Sequence, residues 1–316
     1  MDKLIQKKIY LKNIIKFYFS KIFKLNNYFR YKSDFGKVFL DEKNGGVSKI
    51  IAFYGTREDD KQILLKEAIF PKTLYLDVGS NIGVFPFLVS NELSDDDFLV
   101  SLEPDIRNHA TLFKNLQNCI SNYIFLPYAV SNNNGNSRFL ITKEPNLNYL
   151  INNNSNLKDK DNKNIINVST ITLETIFEKY IPKKFNKSDY SLLLRMDIEG
   201  GEYKVLDSLR NLFNNKNVSF KNVSIVYENH PPGNHKFFYK TVLEELLKIG
   251  FTFKCLISAG GLNIGDLDFL FGKNSSYTYL RSDNFVRMRI NKPLENQSIE
   301  ALTSQRKLIR YCVLGK

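Results

Sequence analysis

Residues 74–83 have the types and spacing of a loop that could hold a nucleoside-bearing ligand. An apolar run ends in Asp77, and Gly79, Asn81 and Gly83 follow in a D-x-G-x-N-x-G array. The pattern predicts a strand that breaks into a tight loop and opens a helix. Glycines let a ligand approach main-chain N–H groups, and a helix start supplies partial positive charge. The spacing is neither a dinucleotide fingerprint nor a Walker A loop, and the glycines alone would equally fit an ordinary turn.

The next two apolar runs also end in residues suited to a ligand site. The run Phe98–Leu102 leads into Glu103, and the run Tyr123–Leu126 leads into the turn 128–131. Alternating strands and helices predict a parallel doubly wound sheet, whose ligands bind outside the carboxyl ends of the strands. Because a carboxylate can accept hydrogen bonds from two neighbouring hydroxyls, Glu103 suits a ribose, although a solvated strand cap is the alternative.

Acidic residues also follow two later apolar runs. The run 191–196 ends in Asp197, with Glu199 and two glycines before the next helix, and the run Val223–Tyr227 ends in Glu228, two residues before His230. We expect these side chains at the same edge of the sheet as the first loop. Alternatively, Asp197 and Glu199 cap the following helix, and His230 only ends a loop.

The remaining apolar runs complete the predicted sheet. Runs at Phe251–Ile257 and Leu267–Phe271 bring the principal strands to seven, and the last strand should be antiparallel because its Gly-rich connection is too short for a helical crossover. The segment Lys37–Tyr54 predicts a β-hairpin or a pair of strands joined by a Gly turn. Short strands near 136–141 and 165–169 flank a polar loop over residues 142–164.

The positive charge of the chain is concentrated at its ends. The 316 residues carry a formal net charge of +12. Residues 1–32 hold nine Lys/Arg against one acid, and residues 273–316 hold nine against three. These segments therefore contribute +8 and +6, which leaves −2 for residues 33–272. This predicts a basic amphipathic N-terminal segment, a nearly neutral catalytic domain and a basic C-terminal tail, and it disfavours a nucleic-acid partner.

The N-terminal segment can be drawn as a helix over residues 3–25. One side would carry the apolar residues Leu4, Leu11, Ile14, Ile15, Tyr18, Ile22 and Leu25. A basic amphipathic helix could lie on an anionic membrane surface. The alternative is a helix that packs on the domain and turns its lysines to water.

Several observations predict a cytoplasmic location, with peripheral membrane contact left open. No apolar stretch reaches eighteen residues, and lysines interrupt any signal-peptide core from Lys3 onward. Cys119, Cys255 and Cys312 lie far apart and lack metal-site spacing, which favours unpaired thiols.

Taken together, the motifs resemble the FkbM family of S-adenosylmethionine-dependent methyltransferases over about residues 50–272. The matching pieces are 77–83, 102–104, 129–131, 172–174, 196–202 and 225–228. Ser80 stands where the family more often has Ala, and Glu174 where it more often has Asp. The resemblance implies a class I methyltransferase Rossmann-like fold: a seven-stranded, mostly parallel α/β sheet with an antiparallel last strand and helices on both faces. It also implies methyl transfer to oxygen, with a saccharide, lipid-linked glycan or other small molecule as acceptor.

The resemblance also assigns roles to individual residues. The methionine side of the S-adenosylmethionine pocket would be shaped by Asp77, Gly79, Ser80, Asn81 and Gly83. Glu103 would hold the ribose hydroxyls, and Tyr128, Ala129 and Val130 would flank the adenine. Asp197 and Glu199 would face the reacting methyl group, with Glu228 and His230 as further candidates for the base that deprotonates an alcohol. Three carboxylates at adjacent strand ends could instead hold Mg²⁺ and stabilise an alkoxide.

Two other functions remain open at this point. A nucleic-acid methyltransferase could use the basic tails for phosphate contacts, although the sequence Asp197-Ile-Glu-Gly200 lacks the Pro-Pro-aromatic signature of amino-methylating enzymes. A non-catalytic adaptor could keep the fold and recruit partners or a membrane through its termini.

Overall fold

The structure is a computed structural model, and it describes most of the chain. The described residues are 3–23, 27–30, 37–40, 45–55, 59–119, 122–142, 148–151, 164–185, 188–215, 218–230, 233–258, 262–272, 277–279, 286–291, 294, 296–304 and 309–316.

Within these residues the chain alternates between strands and helices. The strands of the first half are β1 Asn27–Arg30, β2 Lys37–Leu40, β3 Thr73–Val78, β4 Phe98–Leu102, β5 Tyr123–Leu126, β6 Ala129–Val130, β7 Gly135–Leu140 and β8 Tyr149–Ile151. The later strands are β9 Ile165–Ile171, β10 Ser191–Met196, β11 Val223–Glu228, β12 Thr252–Ser258, β13 Tyr277–Tyr279, β14 Val286–Arg289 and β15 Ile309–Gly315. The α-helices are α1 Lys3–Phe23, α2 Gly45–Tyr54, α3 Asp59–Ala68, α4 Val84–Ser90, α5 Ile106–Leu116, α6 Leu173–Lys179, α7 Glu202–Asn214, α8 Lys236–Lys248, α9 Ile264–Phe271 and α10 Asn296–Leu302.

A nine-stranded, mostly parallel sheet forms the centre of the protein. Its strand order is β13-β14-β12-β15-β11-β10-β3-β4-β5. The pairs β11-β10, β10-β3, β3-β4 and β4-β5 are parallel, whereas β15 is antiparallel to both β11 and β12. The chain runs outward from β3 to β5 and then returns to β10 on the other side of β3. The strand order therefore reverses between β3 and β10, where open α/β sheets form their ligand crevice.

Helices cover both faces of this sheet, as predicted. Successive side chains of β3 point to opposite faces, so Leu74 and Leu76 belong to one core cluster and Tyr75 to the other. The first cluster contains residues of α6, α7 and α8, and the second contains residues of α2, α3, α4 and α5. All six residues of β3 are buried, which explains the nearly continuous apolar run that marks this strand in the sequence.

Six of the seven predicted principal strands are confirmed, but the seventh is wrong. The segment Leu267–Phe271 belongs to α9, which begins with a capping box between Asn263 and Asp266. The closing antiparallel strand is instead β15, which lies between β11 and β12. The sheet has nine described strands because β13 and β14 extend it beyond β12. The central sheet thus continues past the predicted domain boundary at residue 272 into the segment 273–316.

The predicted hairpin over Lys37–Tyr54 is also wrong in its second half. The strand β2 pairs with β1, and the second apolar run forms the helix α2. Val47 and Ile51, four residues apart, are both buried in the core shared with α4. Short apolar runs fit a strand or a buried helix segment, so periodicity alone did not separate the two.

A smaller sheet lies beside the central one. Its strand order is β6-β9-β7-β8, which confirms the short strands expected around residues 136–141 and 165–169. Most of the predicted polar loop 142–164 lies outside the described residues. Its described part contains β8, which pairs with β7.

The predicted N-terminal helix is present as α1, but a different side of it packs on the domain. Phe17 is buried, and its ring meets that of Phe53 in α2 with centroids 5.6 Å apart. Leu11, Ile15 and Ile22, which belong to the predicted apolar side, are exposed. Among the helices of the described residues, none is long and apolar enough to cross a membrane.

The position of β15 predicts unequal effects for two leucine truncations. Leu314 is fully buried between β11 and β12, whereas Leu11 on α1 is 59% exposed. Leu314→Ala should lower the free energy of unfolding by about 2–5 kcal/mol because it leaves a cavity in the core. Leu11→Ala should change it by no more than about 0.5 kcal/mol. Denaturant unfolding measures both, and a small loss for Leu314→Ala would contradict the placement of β15 in the central sheet.

Candidate functional site

One pocket lies where the carboxyl ends of the central strands meet the small sheet. Its lining joins the loop after β3, the end of β4, the turn at β6 and the segment after β10, and includes Gly79, Asn81, Glu103, Tyr128, Ala129, Val130, Asn148, Asp197 and Glu199. Both groups of residues expected from the sequence, the glycine loop and the acidic segment after β10, thus face the same space.

The loop after β3 packs against the segment after β10. Gly79 has a φ of 80°, and a Cβ atom added to it would overlap the main-chain oxygen of Asp197. The N–H groups of Gly79 and Ser80 each donate to the carbonyl oxygen of Leu102 at 3.0 Å. Only glycine combines this backbone conformation with such a close approach.

Glu103 holds the same loop from the side of β4. Its Oε2 accepts the N–H of Asn81 at 2.8 Å, and its Oε1 accepts the N–H of Asp105 at 2.8 Å. Burial raises the pKa of Glu103 to about 7, although the two main-chain hydrogen bonds oppose this shift. Each carboxylate oxygen has a second lone pair, so the group can accept further hydrogen bonds from a ligand.

Three of the predicted cofactor residues lie outside the pocket lining. Asp77 is fully buried, and its Oδ1 accepts hydrogen bonds from the Tyr75 hydroxyl and from Arg195, both at 3.0 Å. Ser80 donates from Oγ to the main-chain oxygen of Asp77 at 2.9 Å. Gly83 precedes α4 with a φ of 82°, in the left-handed region that favours glycine. These residues therefore shape the loop after β3 without lining the pocket.

Arg195 joins the ends of β3 and β10. Its side chain is 2% exposed, and Nη1 donates to Asp77 Oδ1 and to the main-chain oxygen of Gly79, each at 3.0 Å. Its Nη2 donates to Asp197 Oδ2. Arg195 is not among the site residues predicted from sequence, although a charge inside a buried apolar strand requires a partner and was a usable signal.

Lys61 joins the ends of β10 and β11. It projects from α3 with 1% of its side chain exposed, and its Nζ donates to Asp197 Oδ2 at 2.7 Å and to Glu228 Oε2 at 3.4 Å. The ammonium lies 5.0 Å from the ring centroid of Phe85 and 4.8 Å from that of Tyr311. Lys61 is also absent from the predicted site residues. Its local sequence carries no signal because both acidic partners are more than 130 residues away.

His230 lies among three carboxylates. Its Nδ1 contacts Glu202, and its Nε2 lies 3.3 Å from Glu199 and 3.7 Å from Glu228. Burial alone would lower the pKa of His230, but the hydrogen bond to Glu202 and the three negative charges outweigh it and raise the pKa to about 9. His230 is therefore a cation and a hydrogen-bond donor at neutral pH.

The acidic residues at this edge do not suit a bound Mg²⁺. Lys61 and Arg195 already engage Asp197, while His230 approaches Glu199 and Glu228. An added divalent cation would therefore lie beside three positive groups. Among the described residues, no group of three or more His, Cys, Asp or Glu has an arrangement that could hold a metal ion.

Comparison with known proteins identifies a family. The family described as the methyltransferase FkbM domain matches residues 77–253, which is more than half of the chain. A comparison with curated proteins finds no match.

Similar solved structures have low sequence identity to this chain. Precorrin-6y C5,15-methyltransferase from Geobacter metallireducens has 9% identity and a TM-score of 0.38, with 82% of this chain and 89% of that chain covered. Fibrillarin from Aeropyrum pernix, bound to S-adenosyl-L-methionine, has 11% identity and a TM-score of 0.35, with 84% and 82% covered. TrmK from M. capricolum, bound to S-adenosyl-homocysteine, has 11% identity and a TM-score of 0.33, with 76% and 73% covered. The assignment of the chain to a family rests on the family match and not on these distant similarities.

The close approach at Gly79 predicts a difference between two glycine substitutions. Gly79 and Gly200 both have left-handed backbone, with φ of 80° and 73°, but a Cβ at Gly200 meets nothing within 4 Å. Gly200→Ala should therefore cost only the conformational term, about 1–2 kcal/mol of unfolding free energy. Gly79→Ala should cost clearly more because the added methyl group overlaps the chain at Asp197. Denaturant unfolding compares the two, and equal losses would contradict the packing of the two loops.

The raised pKa of His230 predicts a stability difference that depends on pH. Because the folded pKa of about 9 lies above the ordinary value of 6.5, the stabilisation is fully present below pH 6.5 and is lost as the pH rises through 9. At pH 6.5 and below, the free energy of unfolding of the wild-type protein should exceed that of His230→Gln by up to about 3 kcal/mol.

His235 supplies the matched control. Burial, followed by the charge of Lys204, lowers the pKa of His235, so its contribution should stay constant above pH 6.5. The measurement is denaturant unfolding of wild type, His230→Gln and His235→Gln across this pH range. If the difference in unfolding free energy between wild type and His230→Gln did not change with pH, the ion pairing of His230 with its three carboxylates would be contradicted.

Proposed function

Because this chain belongs to the FkbM methyltransferase family, we propose that it transfers the methyl group of S-adenosylmethionine to a hydroxyl of a saccharide, a glycolipid or another small molecule. The observation that supports this proposal is the shared pocket, which is lined both by the glycine loop with Glu103 and by Asp197 with Glu199. The loop that would hold the methyl donor and a carboxylate that could accept a proton thus face the same space.

In this proposal each part of the cofactor would meet a different group of the pocket. Gly79 and Asn81, which both line the pocket, would support the methionine side. Glu103 would accept hydrogen bonds from the ribose hydroxyls with the lone pairs that its main-chain partners leave. The turn Tyr128–Val130 would flank the adenine. When bound, S-adenosylmethionine supplies an electrophilic methyl group.

Glu199 is the residue that we assign as the general base. It lines the pocket, and 31% of its side chain is exposed. It would accept the hydroxyl proton as the acceptor oxygen bonds to the methyl carbon, while the bond from that carbon to sulfur breaks and S-adenosylhomocysteine leaves. His230, whose raised pKa makes it a donor at neutral pH, would position Glu199 rather than accept the proton itself.

Asp197 and Glu228 have a supporting role in this proposal. Asp197 Oδ2 accepts hydrogen bonds from Lys61 and Arg195, and Glu228 accepts one from the same lysine. These contacts fix the segment after β10, on which Glu199 lies. This edge of the sheet suits a hydroxyl acceptor, because the carboxylate of Glu199 in the pocket could remove the hydroxyl proton.

Substitutions of the two pocket glutamates should affect different steps, cofactor binding for one and turnover for the other. Glu103→Gln should weaken binding of S-adenosylmethionine and S-adenosylhomocysteine about tenfold or more, because a carboxamide offers one acceptor oxygen where the carboxylate offers two. Glu199→Gln should leave both affinities within about threefold of wild type but abolish turnover, because the amide cannot accept the proton. Calorimetry measures the affinities. Turnover is read from the masses of metabolites and surface glycans in cells with each variant, as a loss of roughly 14 Da per missing methyl group.

Glu178→Gln is the matched control, since Glu178 lies on the exposed side of α6. It should behave as wild type in both measurements. Failure of the wild-type protein to bind either cofactor form would overturn the proposal and favour the adaptor. Unchanged methylation by Glu199→Gln would remove Glu199 from the mechanism, and a mass change confined to RNA or DNA would assign the acceptor to nucleic acid.

A further inference from the structure

The side of α1 that faces away from the domain is apolar and exposed. Leu11, Ile15, Tyr18 and Ile22 follow each other at intervals of four, three and four residues, so they share one side of the helix. Ile15 is 61% exposed and Ile22 is 73% exposed. The buried side of the same helix carries Phe17, which packs against α2.

Two phenylalanines widen this surface. Phe19 and Phe23 lie one turn apart with ring centroids separated by 4.3 Å, and both are more than half exposed. Together with the four residues above they form what we call the α1 patch: Leu11, Ile15, Tyr18, Phe19, Ile22 and Phe23. A continuous group of large apolar side chains in water, unlike single exposed ones, marks an interaction surface.

The charge of α1 indicates what kind of surface would cover the patch. The helix contains six lysines and no acidic residue, and residues 1–32 as a whole hold nine Lys/Arg against Asp2. Lys12 and Lys16 are exposed, and their positions along the helix place them on the flank that carries Phe19 and Phe23. The apolar surface is therefore bordered by positive charge.

This combination favours an anionic lipid surface over a second copy of the chain. Two copies joined through the α1 patch would bring lysines against lysines, with no acidic residue on either helix to pair with them. An anionic bilayer instead supplies negative charge at its surface and apolar material just below it. We propose that the α1 patch binds an anionic membrane surface, with the helix lying in the plane of the headgroups.

The attachment of α1 to the rest of the protein would carry this contact to the body of the domain. The rings of Phe17 and Phe53 join α1 to α2, and Phe17 belongs to the same core cluster as Phe85. Phe85 contacts both Lys61 and Arg195 in the candidate site. The membrane proposal stands on the surface of α1 and does not depend on the chemistry of the pocket.

Co-sedimentation of the full-length protein with vesicles tests the proposal. The protein should bind phosphatidylcholine vesicles that contain phosphatidylglycerol at least about tenfold more tightly than pure phosphatidylcholine vesicles, and added salt should weaken the binding. The double variant Ile15→Glu/Ile22→Glu should lose the binding because it places charges at the centre of the apolar surface. The double variant Lys12→Gln/Lys16→Gln should keep the apolar surface but bind less tightly.

Phe269→Glu is the matched control, since Phe269 on α9 is 77% exposed and lies outside the α1 patch. It should bind vesicles as wild type does, and thermal unfolding midpoints should agree among all variants because every substituted side chain is exposed. Absence of wild-type binding to the anionic vesicles would overturn the proposal, as would wild-type binding by Ile15→Glu/Ile22→Glu. A wild-type dimer that this double variant dissociates, without vesicle binding, would assign the patch to a second copy instead.

Discussion

The buried guanidinium of Arg195 is the interaction on which the site geometry depends. Arg195 and Asp77 are register partners on the adjacent parallel strands β10 and β3, so their side chains emerge on the same face of the sheet. The guanidinium also binds Asp197 and the main-chain oxygen of Gly79. A buried charge is costly unless it is paired and hydrogen-bonded, and this arginine meets that requirement only if the loops after both strands keep their positions.

Lys61 extends the same constraint to a third strand. Its ammonium lies between Asp197 and Glu228, at the ends of β10 and β11, and is covered by the rings of Phe85 and Tyr311. Without Lys61 and Arg195, the carboxylates of Asp77, Asp197 and Glu228 would lie near one another with less compensating charge. The acidic edge is therefore a network of compensated charges, which explains why it can hold its shape around a pocket and why it does not suit a divalent metal ion.

The parts of this structure that were predictable from sequence are those coded within a few residues. Asp77, Glu103, Asp197 and Glu228 each end an apolar run, and parallel strands necessarily bring such ends to one edge. Lys61 was not predictable, because its partners meet it only through the tertiary fold. The closing strand β15 was not predicted, because the basic charge of residues 273–316 pointed to a tail and outweighed the apolar run that forms the strand. The capping box at Asn263 and Asp266, in contrast, was a local signal for a helix at Leu267–Phe271. The exposure of the α1 patch was not predictable either, because the sequence does not show which apolar side of α1 packs against α2.

A crystal structure of the protein with bound S-adenosylhomocysteine would test the proposed arrangement of the pocket. The ribose hydroxyls should lie at Glu103, the adenine beside Tyr128–Val130 and the homocysteine sulfur on the side of the pocket lined by Asp197 and Glu199, with Arg195 still joining Asp77 to Asp197. Ligand density elsewhere on the molecule, or a ribose bound without contact to Glu103, would contradict it.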